Sequence, residues 1–250
     1  MVISGYTHRS TIHINEKLIA IIMFRSLSKV NVFKTPQAKD FQTILDFKRP
    51  NELSKCLMRS DEELGGYSTV NFEIDPQEQA AHFHGYLNLD PPADRPDILQ
   101  SGYAMFRTKD QPQNALFGEK SWDWTNFNQL AMRVKGDHRK YFLNIQADSS
   151  LKTDIYQHRL FLNTPGEWET VLVSLDDFVL TNWGIIQDEG GLDKGKVKTF
   201  GIGLLDRQFG SYSLHVDWVK VITGESLSKV VNESRKKKQD DDFDFSDAVV

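Results

Sequence analysis

Away from its two ends, this chain alternates apolar and polar side chains with a period of two. Val70, Phe72 and Ile74 are interleaved with Asn71, Glu73 and Asp75; Leu130, Met132 and Val134 are interleaved with Ala131, Arg133 and Lys135. The alternation returns at Tyr141, Leu143 and Ile145, at Val171, Val173 and Leu175, at Phe200, Ile202 and Leu204, and from Tyr212 through Leu214 and Val216 to Trp218. Successive side chains of a strand point to opposite faces, so each run predicts a half-buried strand. Turn-forming pairs separate the runs: Gly65-Gly66, Pro91-Pro92, Gly136-Asp137, Pro165-Gly166, Gly190-Gly191 and Phe209-Gly210. Many short strands punctuated by Gly and Pro predict an all-β, antiparallel sandwich of jelly-roll type. Helical signal is confined to Asp46–Leu57, which Pro50 interrupts, and to the two ends, as short flanking helices. There is no internal repeat.

At 250 residues the chain is long enough for one such domain with a substantial core. A net charge of −5 argues against nucleic acid as the main partner. Cys56 is the single cysteine, so no intramolecular disulfide forms. The charge is unevenly spread. Residues 1–39 carry Arg9, Lys17, Arg25, Lys29, Lys34 and Lys39 against one acid, Glu16, and Phe24, Leu27 and Val30 recur at helical spacing. This is the composition of a mitochondrial transit peptide; a basic tail, or a secretory signal built on Leu18–Phe24, is the alternative. That apolar run is too short to span a bilayer, and no later segment does better, so no transmembrane helix is predicted. After Gly224 the basic run Arg235–Lys238 gives way to Asp240, Asp241, Asp242, Asp244 and Asp247, a solvated charged tail. The predicted organisation is a targeting segment and linker over 1–43, the sandwich over 44–224 and the tail over 225–250.

No catalytic constellation assembles from sequence neighbours. GGLDKGKV (190–197) satisfies G-x-x-x-x-G-K, but Val197 stands where a phosphate loop needs Ser or Thr, and a strand follows where that loop needs a helix. Neither the dinucleotide fingerprint nor a nucleophile elbow is present. Glu62-Glu63 and Asp176-Asp177 are adjacent pairs whose side chains diverge. His82 and His84 share a strand face, as do His215 and Asp217, but a metal needs such pairs to meet and the sequence gives no sign that they do. Outward polar positions on strands explain both pairs, so no catalytic residue, cofactor or metal is expected.

The stretch SWDWTNF (121–127) sets Trp122 and Trp124 two residues apart, on one face. They either form an aromatic platform for a ligand or pack at the core's edge; Trp is mostly buried, which favours packing, with Asp123 capping the turn. The following segment predicts a hairpin whose turn lies between Val134 and Tyr141. Its inward face holds Leu130, Met132, Val134, Tyr141, Leu143 and Ile145, and its outward face Arg133, Lys135, Phe142, Asn144 and Gln146. Asp137 and Arg139 are expected at an exposed turn.

WDWTNFNQLAMRVKGD and the YFLNI strand after it resemble the complex I intermediate-associated protein family, assembly factors of mitochondrial NADH dehydrogenase. SDEELGGYSTVNF (60–72), PGEWETVLVSLDDFVLTNWG (165–184) and FGIGLLDRQFGSYSLHVDWVKVI (200–222) fit the same family in order. The resemblance spans about residues 44–224; the tails share no pattern with the family, and it supplies no catalytic residue. It implies a galactose-binding-like jelly roll, similar to carbohydrate-binding modules. The implied role is a non-catalytic assembly chaperone in the mitochondrial matrix, association with the inner membrane being left open. Its partners would be complex I subunits and other assembly factors, with no nucleic acid. The candidate partner-binding residues are Arg133, Asp137, Arg139, Phe142, Asn144 and Gln146, with Trp122 and Trp124. The alternative function is a carbohydrate-binding module that recognises a glycan through an aromatic platform.

Overall fold

The longest alternating run forms the longest strand, and the fold is built around it. The computed structural model describes residues 40–98, 101–110, 121–188 and 190–224. In chain order the strands are β1 (Phe41–Asp46), β2 (Cys56–Ser60), β3 (Thr69–Asp75), β4 (Ala80–Leu87), β5 (Ala104–Thr108), β6 (Gln129–Gly136), β7 (Tyr141–Ala147), β8 (Asp154–Arg159), β9 (Glu169–Ser174), β10 (Val179–Asn182), β11 (Ile185–Ile186), β12 (Val197–Leu204) and β13 (Gly210–Ile222). One sheet runs β3-β4-β13-β6-β9, with β1 also on β13; the other runs β11-β10-β8-β7-β12-β5-β2. Every pairing is antiparallel. This is the predicted all-β sandwich.

Thirteen residues make β13 long enough to take two neighbours on one side. Its first half pairs with β4 and its second with β1, while β6 runs along the other side. The β13–β6 ladder shifts register between Val216 and Trp218, and Asp217 is the residue at that bulge. A bulge leaves one residue unpaired in its ladder and re-aims its side chain.

The inward faces meet in an aromatic centre. Phe72 stacks on Phe106 at 4.1 Å, Phe83 meets Phe106 edge-on at 5.3 Å, and Tyr141 and Tyr212 close around Phe83. Such side chains bury the largest apolar areas per residue and dominate core energetics. Leu130, Met132 and Val134 from one sheet and Leu143, Ile145, Phe200 and Ile202 from the other complete the core. Cys56 is buried with them, and desolvation pushes its thiol up to about 12, so it is an inert packing residue.

Two local expectations are overturned. Asp46–Leu57 is no helix: β1 ends there, a turn follows, Leu53–Lys55 makes a single 3₁₀ turn, and β2 begins at Cys56. Pro50 and the left-handed Asn51 (φ 63°) break helical geometry. The flanks then gain more from pairing with β13 and β5 than from local helix. Among the described residues the helical elements are short 3₁₀ turns, and the predicted terminal helices, transit segment and acidic tail lie outside those residues.

The second correction concerns the predicted hairpin. β6 pairs with β13 and β9, whereas β7 pairs with β12 and β8. The chain therefore arches from one sheet to the other between Gly136 and Tyr141. Each strand's alternation was correct, but the alternation of two consecutive strands does not say whether they pair with each other or with strands far along the chain.

Candidate functional site

Because of the arch, the outward residues of β6 and β7 lie on opposite outer faces. Arg133 and Lys135 belong to the six-stranded sheet; Phe142, Asn144 and Gln146 belong to the seven-stranded sheet. The turn itself is locked. The Arg139 guanidinium holds Asp206 in a two-point pair at 2.8 Å and donates to the carbonyls of Gln208, Gly210 and Ser211. Asp137 accepts from the Tyr141 hydroxyl and from the backbone amides of Arg139 and Ser213. Asp137 and Arg139 thus fasten the arch to the start of β13, and the turn is less exposed than the sequence suggests, the Arg139 side chain being largely buried.

Arg133 is also less free than expected. Its side chain is 11% exposed and lies 3.2 Å from Asp217, which is 3% exposed. Lys48 approaches the same carboxylate at 3.8 Å, and Asp217 Oδ1 has no hydrogen-bond partner. The guanidinium also sits 5.2 Å over the Trp168 ring.

From Trp168 a row of rings crosses the six-stranded sheet. Trp168 meets His215 edge-on at 6.3 Å, His215 stacks on His82 at 4.0 Å, and His82 stacks on His84 at 4.1 Å. Register explains the row, since His82 and His215 are directly opposed on β4 and β13. Acids border it: Asp75 lies 3.0 Å from His215, Glu73 lies 3.2 Å from His84, and Glu78 accepts from Lys135 and from the Trp168 indole. The two His pairs noted in the sequence do meet, through His215, with Asp75 in place of Asp217. Two backbone amides and His215 hold the Asp75 carboxyl below its ordinary value, the Gln77 amide contributing most. Burial, then the nearby His215 and His84, push the His82 imidazole down to about 4.

The seven-stranded sheet presents a different surface. Leu57, Arg107, Gly201, Asn144, Gln157 and Val179 are aligned in register from β2 to β10. A parallel row runs Arg59, Met105, Gly203, Phe142 and Arg159. Along the first row the polar groups satisfy one another: Gln157 donates to Asn144 at 2.9 Å, and Thr181 donates to Gln157 at 3.0 Å. Thr199 donates to Gln146, whose amide reaches the Lys152 carbonyl. Gly201 and Gly203 make a flat floor. A Cβ at 201 would stand 2.6 Å from the Phe106 carbonyl oxygen, so only glycine fits the close approach of β12 and β5. Just past the end of β8, exposed Phe161 packs between the Arg159 guanidinium, 5.0 Å from it, and the His158 ring, 6.1 Å from it.

At the sheet's edge β10 and β11 form a two-residue hairpin with Trp183 (φ 51°) and Gly184 (φ 75°) at its turn, both left-handed as a primed turn requires. Trp183 is 82% exposed, and Ile185 and Ile186 stand out with it. The sequence reading missed this tip, Gln157, Arg159, Phe161 and Trp168. The N-W-G turn flanked by apolar residues was the legible signal for the tip.

The tryptophan pair divides its roles. Trp124 is fully buried, Trp122 stacks on it at 5.7 Å with nearly parallel rings, and Asp123 caps the turn by accepting from Thr125. Trp122 lines a cavity of about 390 Å³ with Ile44, Leu45 and Thr108. The pair plugs one end of the core and is no open platform.

Residues 45–216 match the Complex I intermediate-associated protein 30 family. A Neurospora crassa protein named Complex I intermediate-associated protein 30, mitochondrial, is 38% identical over 197 residues, covering 70% of each chain. Mouse and Drosophila melanogaster proteins of the same name are 30% and 31% identical, over 73% and 70% of this chain. The chain spans 56% and 61% of their respective lengths. Among solved structures, a family 11 carbohydrate-binding module from Clostridium thermocellum, in complex with a mixed-linked tetrasaccharide, superposes with a TM-score of 0.51. That match covers 74% of this chain and 97% of the module at 15% identity, a likeness of fold alone. With the family matched across both sheets of the sandwich, this chain belongs to the Complex I intermediate-associated protein 30 family.

Proposed function

We propose that this chain is a non-catalytic assembly factor for mitochondrial respiratory complex I, docking on assembly intermediates through the outer face of its seven-stranded sheet. The relatives' name carries the role. One observation favours this face: its amides and hydroxyls are already paired across strands, while Phe142 and Arg159 lie in the neighbouring register row and exposed Phe161 packs against Arg159. Aromatic side chains and arginine beside a satisfied polar row are the composition that protein interfaces select. The six-stranded face differs, because its prominent cation is committed to buried Asp217.

The test is complementation of cells lacking the chain. Wild type restores complex I on native gels of mitochondrial membranes and co-migrates with its intermediates. Arg159→Glu with Phe161→Ala alters two exposed residues, keeps the thermal midpoint, and loses co-migration. Glu73→Lys on the opposite sheet keeps it. Normal complex I in cells lacking the chain overturns the function. Normal co-migration of the folded double variant overturns only the choice of face.

A further inference from the structure

We propose that Asp75, His82 and His215, on the outer face of the six-stranded sheet, form a binding site for one divalent transition-metal ion, zinc being the ion whose ligand preference they fit. The three residues come from β3, β4 and β13, and the fold brings them together by register. His82 and His215 are directly opposed across β4 and β13, and Asp75 pairs with Ala80 at the β3–β4 turn. Ala80 carries only a methyl group, and the Asp75 carboxylate comes within 3.0 Å of His215 Nε2.

One ligand atom from each residue lies within 4.8 Å of the other two. A tetrahedral zinc with bonds of about 2.0–2.2 Å sets its ligands roughly 3.3 Å apart, so the ligand atoms must draw together through side-chain rotation to reach that geometry. The adjustment is identifiable. His82 Nε2 now shares a hydrogen bond of 2.8 Å with the Ser213 hydroxyl, and its ring is nearly parallel to that of His215. An ion must lie in the plane of each imidazole that binds it, so the His82 ring has to turn off the stack and exchange Ser213 for the metal. The His215–Asp75 pair needs less, since a cation would take the place of the proton they share.

The surroundings fit a cation held by nitrogen. Two imidazoles and one carboxylate, with a water in the fourth position, suit zinc, while magnesium and calcium prefer all-oxygen shells. His84 is held by Glu73 at 3.2 Å and stacks on the outer side of His82, a covering position outside the cluster. Trp168 walls the opposite side and is itself anchored to Glu78.

The experiment is zinc titration of the purified full chain, freed of any affinity tag, by calorimetry, with Co(II) absorption reporting coordination geometry. One zinc per chain is expected, with the tetrahedral Co(II) spectrum and a raised thermal midpoint. His82→Ala and His215→Ala should each weaken binding by at least about tenfold, a loss that even outer-shell changes produce. His84→Ala should leave the affinity nearly unchanged. His82→Gln, which keeps a partner for Ser213, replaces His82→Ala should that variant lower the midpoint without metal. Absence of stoichiometric binding overturns the site, and so does binding that survives both His82 and His215 substitutions in folded protein.

Discussion

Replacing Arg133 with methionine tests whether this residue is a surface contact or part of the folded framework. The guanidinium and the Asp217 carboxylate are 3.2 Å apart, with 11% and 3% of their side chains exposed. At an effective dielectric of about 20 their attraction is about 5 kcal/mol, most of it offset by the cost of desolvating both groups. Removing only the arginine forfeits the attraction but leaves the carboxylate buried, with Lys48 at 3.8 Å as its remaining cation and one oxygen without a partner. Breaking a buried pair in this way costs about 3–5 kcal/mol, and for a domain of this size that lowers Tm by about 6–20 °C. Arg133→Met with Asp217→Asn removes the stranded charge and should recover about 2 kcal/mol or more. The cation–π contact with Trp168 stays lost, about 0.5–1 kcal/mol. Urea denaturation of wild type, both single variants and the double variant gives the coupling directly. A loss below about 1 kcal/mol for Arg133→Met, or additive effects in the double variant, would refute a framework role.

Three further outcomes are expected. Trp124→Ala should cost about 3–5 kcal/mol, and half-buried Trp122→Ala about 1–2, read from denaturant midpoints. Gly201→Ala should cost about 1–3 kcal/mol because its Cβ would meet the Phe106 carbonyl at 2.6 Å, while Gly191→Ala, with open space around it, should stay within about 0.5. The third outcome concerns pH, measured in metal-free buffer. Folding lowers the His82 value from 6.5 to about 4, so the unfolded chain binds the extra proton between those values. This contribution to stability is complete above about pH 6.5 and is lost as pH falls toward 4. The groups facing His82 are His84, His215, Asp75, Glu73 and Ser213. His82→Gln should flatten the Tm profile in that window, and an unchanged slope there would contradict the assignment.

The two ends of the arch show where sequence information ran out. Alternation over Leu130–Val134 and Tyr141–Ile145 identified both strands and the face each buries, because a period of two is a local property set by backbone geometry. The same locality supplied the turns, and the ordered motifs supplied the family. Pairing is not local. Whether β6 joins β7 or β13 depends on loop closure and on which apolar faces fill one core together, and neither leaves a mark within a short window. Once β6 and β7 separated, Arg133 and Asn144 parted to opposite faces, and the expected exposed turn became an anchor through Arg139 and Asp206. The helix expected over Asp46–Leu57 failed for the same reason, as strand partners at β13 and β5 outcompeted a weak, proline-broken local preference. His82 and His84 were legible as a face-sharing pair. Their meeting with His215 and Asp75 required three strands in register, and that arrangement exists only in the folded sheet.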